Sequence, residues 1–245
     1  MRTSRLFSPL KLKTGKRVEL GPDQGNYVIR VLRLRKGDSL RVFDGDGGEY
    51  ESTIEVASKK GLQLLVGAHL AIDSESPLRI QLIQCISRGE RMDLVMQKST
   101  ELGVHRVTPV ISDFSVIKLD AQRAEKRRDH WHKVLASACE QCGRNRLPLL
   151  DTAVPLADAL ASPAGETRLV LQPNAEQRFA AVPRPEGMVS LLIGPEGGLS
   201  DKEYEMAANA GFTAISFGPR VLRTETAAIA AVAAIQCLWG DLGPA

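Results

Sequence analysis

Long apolar runs are missing from this chain, and so are most of the motifs that identify a function at once. No stretch approaches the roughly 18 uninterrupted apolar residues of a membrane-spanning helix. Met1–Leu10 also lacks the apolar run of a secretory signal, so a cytoplasmic protein with no membrane partner is expected. Cys85, Cys139, Cys142 and Cys237 are too few and too scattered for a disulfide framework in a chain of 245 residues. The Cys139-x-x-Cys142 pair has no second pair to complete a zinc site, and His130 and His132 cannot share one helical face. It also lies near the end of an apparent helix rather than at a strand end, where a thioredoxin-like pair belongs, so no metal or redox centre is expected. His69 and His105 are isolated. There is no G-x-G-x-x-G and no G-x-x-x-x-G-K-[ST], which leaves a dinucleotide fold or a Walker phosphate loop without support. Internal repeats and low-complexity tracts are lacking too.

What is present concentrates in residues 191–227, where two glycine-proline loops each follow an apolar strand and precede a helix. The first strand is Leu191-Leu192-Ile193, followed by Gly194-Pro195-Glu196-Gly197-Gly198 and then Ser200-Asp201-Lys202-Glu203, a capping box. The second is Ala214-Ile215-Ser216-Phe217, followed by Gly218-Pro219-Arg220 and then Arg223-Thr224-Glu225-Thr226-Ala227, which enters an alanine-rich helix. In open α/β sheets ligands bind at the carboxyl ends of strands, and glycine lets backbone approach a ligand where a Cβ would block it. The expectation is two neighbouring strand ends facing one pocket.

The length suits one large or two modest domains. Residues 1–72 read as short strands broken by turns, with Gly45-Asp46-Gly47-Gly48 as a hairpin turn and one short helix around Pro22–Leu34. This predicts a small β-barrel or sandwich. After the linker Asp73-Ser74-Glu75-Ser76-Pro77 the chain alternates strand and helix from Leu78 onward, which predicts an α/β domain over 73–245 with a mostly parallel sheet covered on both faces. Strands are expected at 78–83, 106–111, 167–171, 188–193 and 214–217, and helices at 91–102, 122–142, 156–160, 201–210 and 225–239, with Gly103 and Gly211 as C-caps. The small residues of Ala227–Cys237 suit close approach by another helix, a second copy of the chain included.

The net charge of +3 and pI near 8.7 are mild, so the distribution of charge carries the information. Basic residues cluster at Arg2–Arg17, Arg30–Arg41, Arg88–Lys98, Arg123–Arg128 and Arg144–Arg146. The Arg123–Arg128 run reads as a solvated face of an amphipathic helix. The cation excess of the first 41 residues suits phosphate contact.

The segments Leu192–Leu199 and Phe217–Ala227 closely resemble the RsmE family of ribosomal RNA methyltransferases, of the knotted SPOUT superfamily. Further blocks carry the likeness: Ser87–Met92, Gln97–Val104, Glu140–Arg146, Arg5, and Arg30–Arg33 with Gly37-Asp38. The resemblance implies a PUA-like β-barrel followed by a SPOUT domain whose C-terminal segment forms a deep trefoil knot, against the usual rule. It implies a homodimer that uses S-adenosyl-L-methionine to methylate N3 of one uridine in 16S rRNA of the assembled small subunit, with a role in ribosome biogenesis. Carried over by position, the cofactor site is Leu171, Gln172, Pro173, Ile193, Gly194, Pro195, Glu196, Gly197, Phe217, Gly218, Arg220, Val221, Leu222, Thr226 and Ala227. RNA contacts are expected at Arg2, Arg5, Arg30, Arg33, Arg88, Arg91, Lys98, Arg144 and Arg146.

The residues fit that chemistry. Adenine needs an apolar slot edged by backbone polar groups, and a sulfonium donor needs no phosphate cradle. Uridine N3 is largely protonated at neutral pH, so its proton must be removed or the resulting anion stabilised. Arg223 is the candidate for the negative charge, and Glu196 or Glu225 either orients it or takes the proton; the sequence does not rank them. The competing assignment makes Arg223 and Glu225 a structural ion pair at a dimer interface. A rival from another class is a non-catalytic rRNA-binding or assembly factor with a degenerate knot.

Overall fold

In the computed structural model, which describes residues 4–115, 121–161 and 163–243, the chain divides into two compact units. Arg2, one of the expected RNA contacts, lies outside the described residues. The first unit runs to Glu75 and takes back Cys139–Leu147, a segment that the sequence reading leaves with the second domain.

The first unit contains β1 (Arg5–Phe7), β2 (Arg17–Leu20), α1 (Pro22–Tyr27), β3 (Ser39–Phe43), β4 (Glu49–Ser58) and β5 (Gly61–Leu70). These five strands form one sheet in the order β1-β3-β4-β5-β2, parallel between β1 and β3 and antiparallel elsewhere. Alternation along β5 buries Leu62, Leu64 and Val66 against Leu40, Val42 and Ile54. The short helix begins at Pro22, whose fixed φ suits a first turn, and passes into a π-helical turn over Val28–Leu32 that ends on Arg33 at φ 59°. Gly25 is required there, since a Cβ would lie 2.3 Å from the Ser58 carbonyl oxygen.

The second unit contains β6 (Ile80–Cys85), α2 (Glu90–Glu101), β7 (Arg106–Ile111), α3 (Ala121–Cys142, whose last turn joins the first unit), β8 (Leu149–Leu150) and β9 (Val154–Pro155). There follow α4 (Leu156–Ala161), β10 (Thr167–Leu171), β11 (Val189–Ile193), α5 (Asp201–Asn209), β12 (Thr213–Ile215) and α6 (Thr224–Trp239). The two-residue strands β8 and β9 are too short to show any periodicity. Every pairing in the sheet is parallel, in the order β12-β10-β11-β6-β7-β8 with β9 also on β7. One face packs Ile80, Leu82, Val189 and Leu191 against Met96 of α2, Leu135 of α3 and Val232 of α6. On the opposite face Ile83, Val170 and Leu192 meet Leu160 of α4 and Ala207 of α5.

The expected helix ends are present. Ser200 Oγ accepts from the Glu203 amide at 3.3 Å while Glu203 Oε2 accepts from the Ser200 amide at 2.9 Å, and Gly103 and Gly211 take φ of 80° just past α2 and α5. One expectation is corrected. The strands that lead into the two glycine-proline loops are not neighbours, because β10 lies between β11 and β12 in the sheet.

Candidate active site at the strand ends

The carboxyl ends of β10, β11 and β12 open onto one cavity of about 380 Å³, within the size range of small-molecule sites. Leu171, Gln172 and Pro173 line it from β10, Ile193 to Glu196 from β11, and Ile215, Phe217 and Gly218 from β12. Arg220 to Thr224 and Ala227 complete the wall. Of the residues assigned to the cofactor, Gly197 and Thr226 do not face the cavity. A Cβ at Gly197 would sit 3.1 Å from the Phe114 Cβ.

Four lining residues are given no role in the site by the sequence reading: Gly198, Tyr204, Ile215 and Thr224. Tyr204 reaches back from α5 and its hydroxyl donates to the Leu171 carbonyl at 3.3 Å. Burial, chiefly, holds that hydroxyl's pKa above the ordinary tyrosine range, so it stays a donor. Helical position alone aims Tyr204 at the site, which no loop motif signals.

Thr224 is the buried joint of the site. Its Oγ1 donates to the Gly194 carbonyl at 2.7 Å and accepts from Gln84 Nε2 at 3.0 Å, so the first glycine-proline loop, the end of β6 and the start of α6 are fastened to one hydroxyl. Gln84 also donates to the Cys85 carbonyl at 3.0 Å, and its Oε1 has no partner among the described residues. A side chain at Gly194 would press within 3.3 Å of Gly198 and Leu199, and Gly218 sits at φ +79°. Both loops need glycine, one for space and one for backbone conformation.

The site's charged residues differ in their engagement. Glu196 accepts from the Arg88 amide at 3.1 Å and from the Arg91 guanidinium at 2.8 Å. Desolvation works to raise its pKa, but its own backbone amide, that of Arg88 and the charge of Arg91 outweigh this and hold it below the ordinary carboxylate range. Arg223 is exposed, with no ion-pair partner among the described residues, and the Arg223–Glu225 pair is not formed within the chain. Glu225 Oε2 is buried and accepts no hydrogen bond among the described residues.

The basic residues assigned to RNA divide sharply. Arg30, Arg33, Arg88, Arg91 and Arg146 are exposed, while Lys98 is half-buried on Glu101 at 2.8 Å. Arg5 and Arg144 correct the expectation, because they are internal struts of the first unit. Arg5 donates to Glu49 at 2.9 Å, to the Cys139 and Arg144 carbonyls and to Asn145 Oδ1, and lies 4.7 Å over the Phe43 ring. Arg144 is 4% exposed and grips Glu75 through two bonds, at 3.0 and 2.5 Å. Sequence could not separate them from surface arginines, since burial of a guanidinium is decided by distant partners.

Cys85 and Cys139 are buried thiols. Burial pushes the Cys85 and Cys139 thiols up to about 12. His130 pairs with Asp93 at 2.8 Å.

Comparison with known proteins settles the family. An RNA methyltransferase domain family matches residues 74–236, and an RNA methyltransferase PUA domain family matches residues 20–67. The ribosomal RNA small subunit methyltransferase E of Buchnera aphidicola subsp. Schizaphis graminum is 35% identical over 242 residues, covering 98% of each chain. This chain belongs to the ribosomal RNA small subunit methyltransferase E family. The Bacillus subtilis member is 29% identical, covering 89% of this chain and 91% of its own. The crystal structure of the Neisseria gonorrhoeae member, bound to S-adenosyl methionine, superposes with a TM-score of 0.93 at 39% identity, covering 98% of this chain and all of that one. The PUA match lies within the first unit, and the methyltransferase match takes in most of the second together with 74–75 and 139–147 of the first.

Proposed function

We propose that this enzyme transfers a methyl group from S-adenosyl-L-methionine to N3 of a specific uridine in 16S rRNA of the small ribosomal subunit. The observation that carries the reading is the cavity at three parallel strand ends, bounded by glycine turns and lined by Arg223. The cavity fits that cofactor. Its apolar walls include Leu171, Ile193, Phe217 and Leu222, with strand-end backbone at the edges. When bound, S-adenosyl-L-methionine supplies a methyl group on a sulfonium, which departs as a neutral thioether once the methyl is on N3.

The chain's own residues supply the rest. Glu225, whose Oε2 has no hydrogen-bond partner among the described residues, takes the N3 proton, whereas Glu196 already accepts from Arg88 and Arg91. Arg223 donates to the uracil carbonyl on which negative charge builds. RNA phosphates contact the exposed cations Arg30, Arg33, Arg88, Arg91 and Arg146, giving salt-dependent affinity.

The domains work as 1–72 for RNA binding and 73–245 for methyl transfer and dimerisation, in a cytoplasmic homodimer. The C-terminal segment threads a trefoil knot. In support, β11 is inserted between β10 and β6, and Thr224 returns across the Gly194 loop to reach Gln84. Mass-spectrometric mapping of 16S rRNA nucleosides from cells with and without the protein tests the activity. An unchanged N3-methyluridine content would refute it, and calorimetry with no saturable heat for S-adenosyl-L-methionine would favour a non-catalytic binder.

A further inference from the structure

Glu203 is 4% exposed although it sits in the first turn of α5, and glutamate is almost never buried to that degree unless it is paired. A capping glutamate needs one oxygen for the cap. Glu203 uses both. Its Oε2 accepts from the Ser200 amide at 2.9 Å and closes the capping box, while its Oε1 accepts from the Asp113 amide at 2.8 Å, 90 positions earlier in the chain. Asp113 stands just past the end of β7. The tie is doubled from the other side, because Ser200 Oγ donates to Asp113 Oδ2 at 2.8 Å.

The turn that Glu203 holds is itself compact. The Ser115 amide donates to the Ser112 carbonyl at 2.9 Å, and the Ser112 amide donates to Ser115 Oγ at 3.0 Å. Phe114 of this turn lies close to the first glycine-proline loop, at Gly197, a residue that does not line the cofactor cavity. Within the loop the Gly198 amide donates to the Pro195 carbonyl at 3.0 Å, and a Cβ at Gly194 would come within 3.3 Å of the Leu199 amide nitrogen and Cγ. Gly194, Pro195 and Glu196 line the cavity, so a constraint on Ser200 reaches them through the loop's own close contacts. Thr224 already holds the same loop at its start. Glu203 holds its finish.

Burying a carboxylate is costly unless its oxygens are engaged, and here both are. Capping alone would leave Oε1 idle. What the second bond adds is preorganisation, since a loop fixed in advance need not be ordered by its ligand. We infer that Glu203 is a positioning residue of the methyl-transfer site, presetting the Gly194–Gly198 loop for the methyl donor by tying it to the Ser112–Ser115 turn. The role rests on the methyl-transfer reading, and Glu203 itself does not line the cavity.

The test compares the full-length protein with Glu203→Gln, Asp113→Ala and Asp113→Asn. Glutamine has one acceptor oxygen for two amides, so one of the two ties is lost. Asp113→Ala, at an exposed position, leaves the capping box of α5 intact and removes only the acceptor for Ser200, and Asp113→Asn restores an acceptor. In the protein without cofactor, hydrogen exchange at 112–115 and 194–200 should quicken about tenfold in Glu203→Gln, with β1 to β5 unchanged. Its KM and calorimetric Kd for S-adenosyl-L-methionine should rise about tenfold, while kcat at saturation and affinity for small subunits stay within about twofold of the parent. Asp113→Ala should raise the same two constants about fivefold, and Asp113→Asn should return them to within about twofold.

A lower Tm or kcat in Glu203→Gln, with parental KM and parental exchange at 194–200, would reduce Glu203 to a helix cap and overturn the inference. So would an Asp113→Ala variant indistinguishable from the parent, a result that decides the matter even if Glu203→Gln does not fold. The methyl-transfer reading would survive either result. It would fall instead if the parent bound no S-adenosyl-L-methionine.

Discussion

Replacing Thr224 by valine removes one hydroxyl from the joint of the cofactor site while nearly keeping its volume. Thr224 is 4% exposed, so water does not take over the vacated partners. Gln84 Nε2 keeps its bond to the Cys85 carbonyl, but the Gly194 carbonyl loses the donor at 2.7 Å that fixes its loop. Leaving a buried polar group unpaired costs about 1–3 kcal/mol, and with the weakened Gln84 bond the total should be about 2–3 kcal/mol. In a chain of this size that corresponds to a fall in Tm of about 4–12 °C. Affinity for S-adenosyl-L-methionine should drop about tenfold, because the freed loop must be ordered on binding. Thr224→Ser retains the hydroxyl and should recover most of both quantities. Differential scanning calorimetry and isothermal titration on the two variants decide the matter. A valine variant with parental Tm and affinity, or a serine variant as impaired as the valine one, would refute the joint.

Other perturbations separate the roles of the remaining residues. Glu196 has a lowered folded pKa, so its bonds to Arg88 and Arg91 contribute fully above the ordinary glutamate value of about 4.3 and are lost only as pH falls through the lowered value. The Tm difference between the parent and Glu196→Gln should therefore be constant from neutral pH to about 4.3 and shrink below it; a difference that vanished near neutrality would contradict the assignment. Arg144→Met leaves half-buried Glu75 without its bonds to Arg144 and should destabilise the protein by about 1–3 kcal/mol in urea titration, against less than about 0.5 kcal/mol for exposed Arg30→Ala. The Arg30→Ala Arg33→Ala pair should instead flatten the salt dependence of RNA binding, by about one unit of log-log slope for each phosphate that is no longer neutralised. Gly218→Ala forces a Cβ onto φ +79° with nothing near enough to clash. Its cost should be a backbone penalty of about 1–2 kcal/mol, measurable as lower Tm and weaker cofactor binding.

Local signals were enough for much of this protein. The strands at 106–111 and 167–171 match the sequence reading at both ends, and the capping box at Ser200 and Glu203 and the glycine caps at 103 and 211 are where short-range patterns place them. These features depend on bonds within a few residues, so sequence spacing contains the whole of their physics. The glycine-proline loops were legible for the same reason, since φ and Cβ constraints belong to single residues. The site was otherwise assembled at a distance. Sheet order put β10 between the two loop-bearing strands, and Thr224 became the joint only because Gln84, 140 positions away, came to meet it. Arg5 and Arg144 look like surface cations in the sequence, yet Glu49, Glu75 and main-chain carbonyls of the returning 139–147 segment make them interior. Likewise, nothing near Glu196 or Glu225 in sequence says which carboxylate is already taken; that is settled by Arg88 and Arg91, more than a hundred residues earlier. Sequence determined the local conformations and the inventory of chemical groups. Tertiary structure decided which groups meet, because desolvation and pairing depend on long-range neighbours that the chain acquires only on folding.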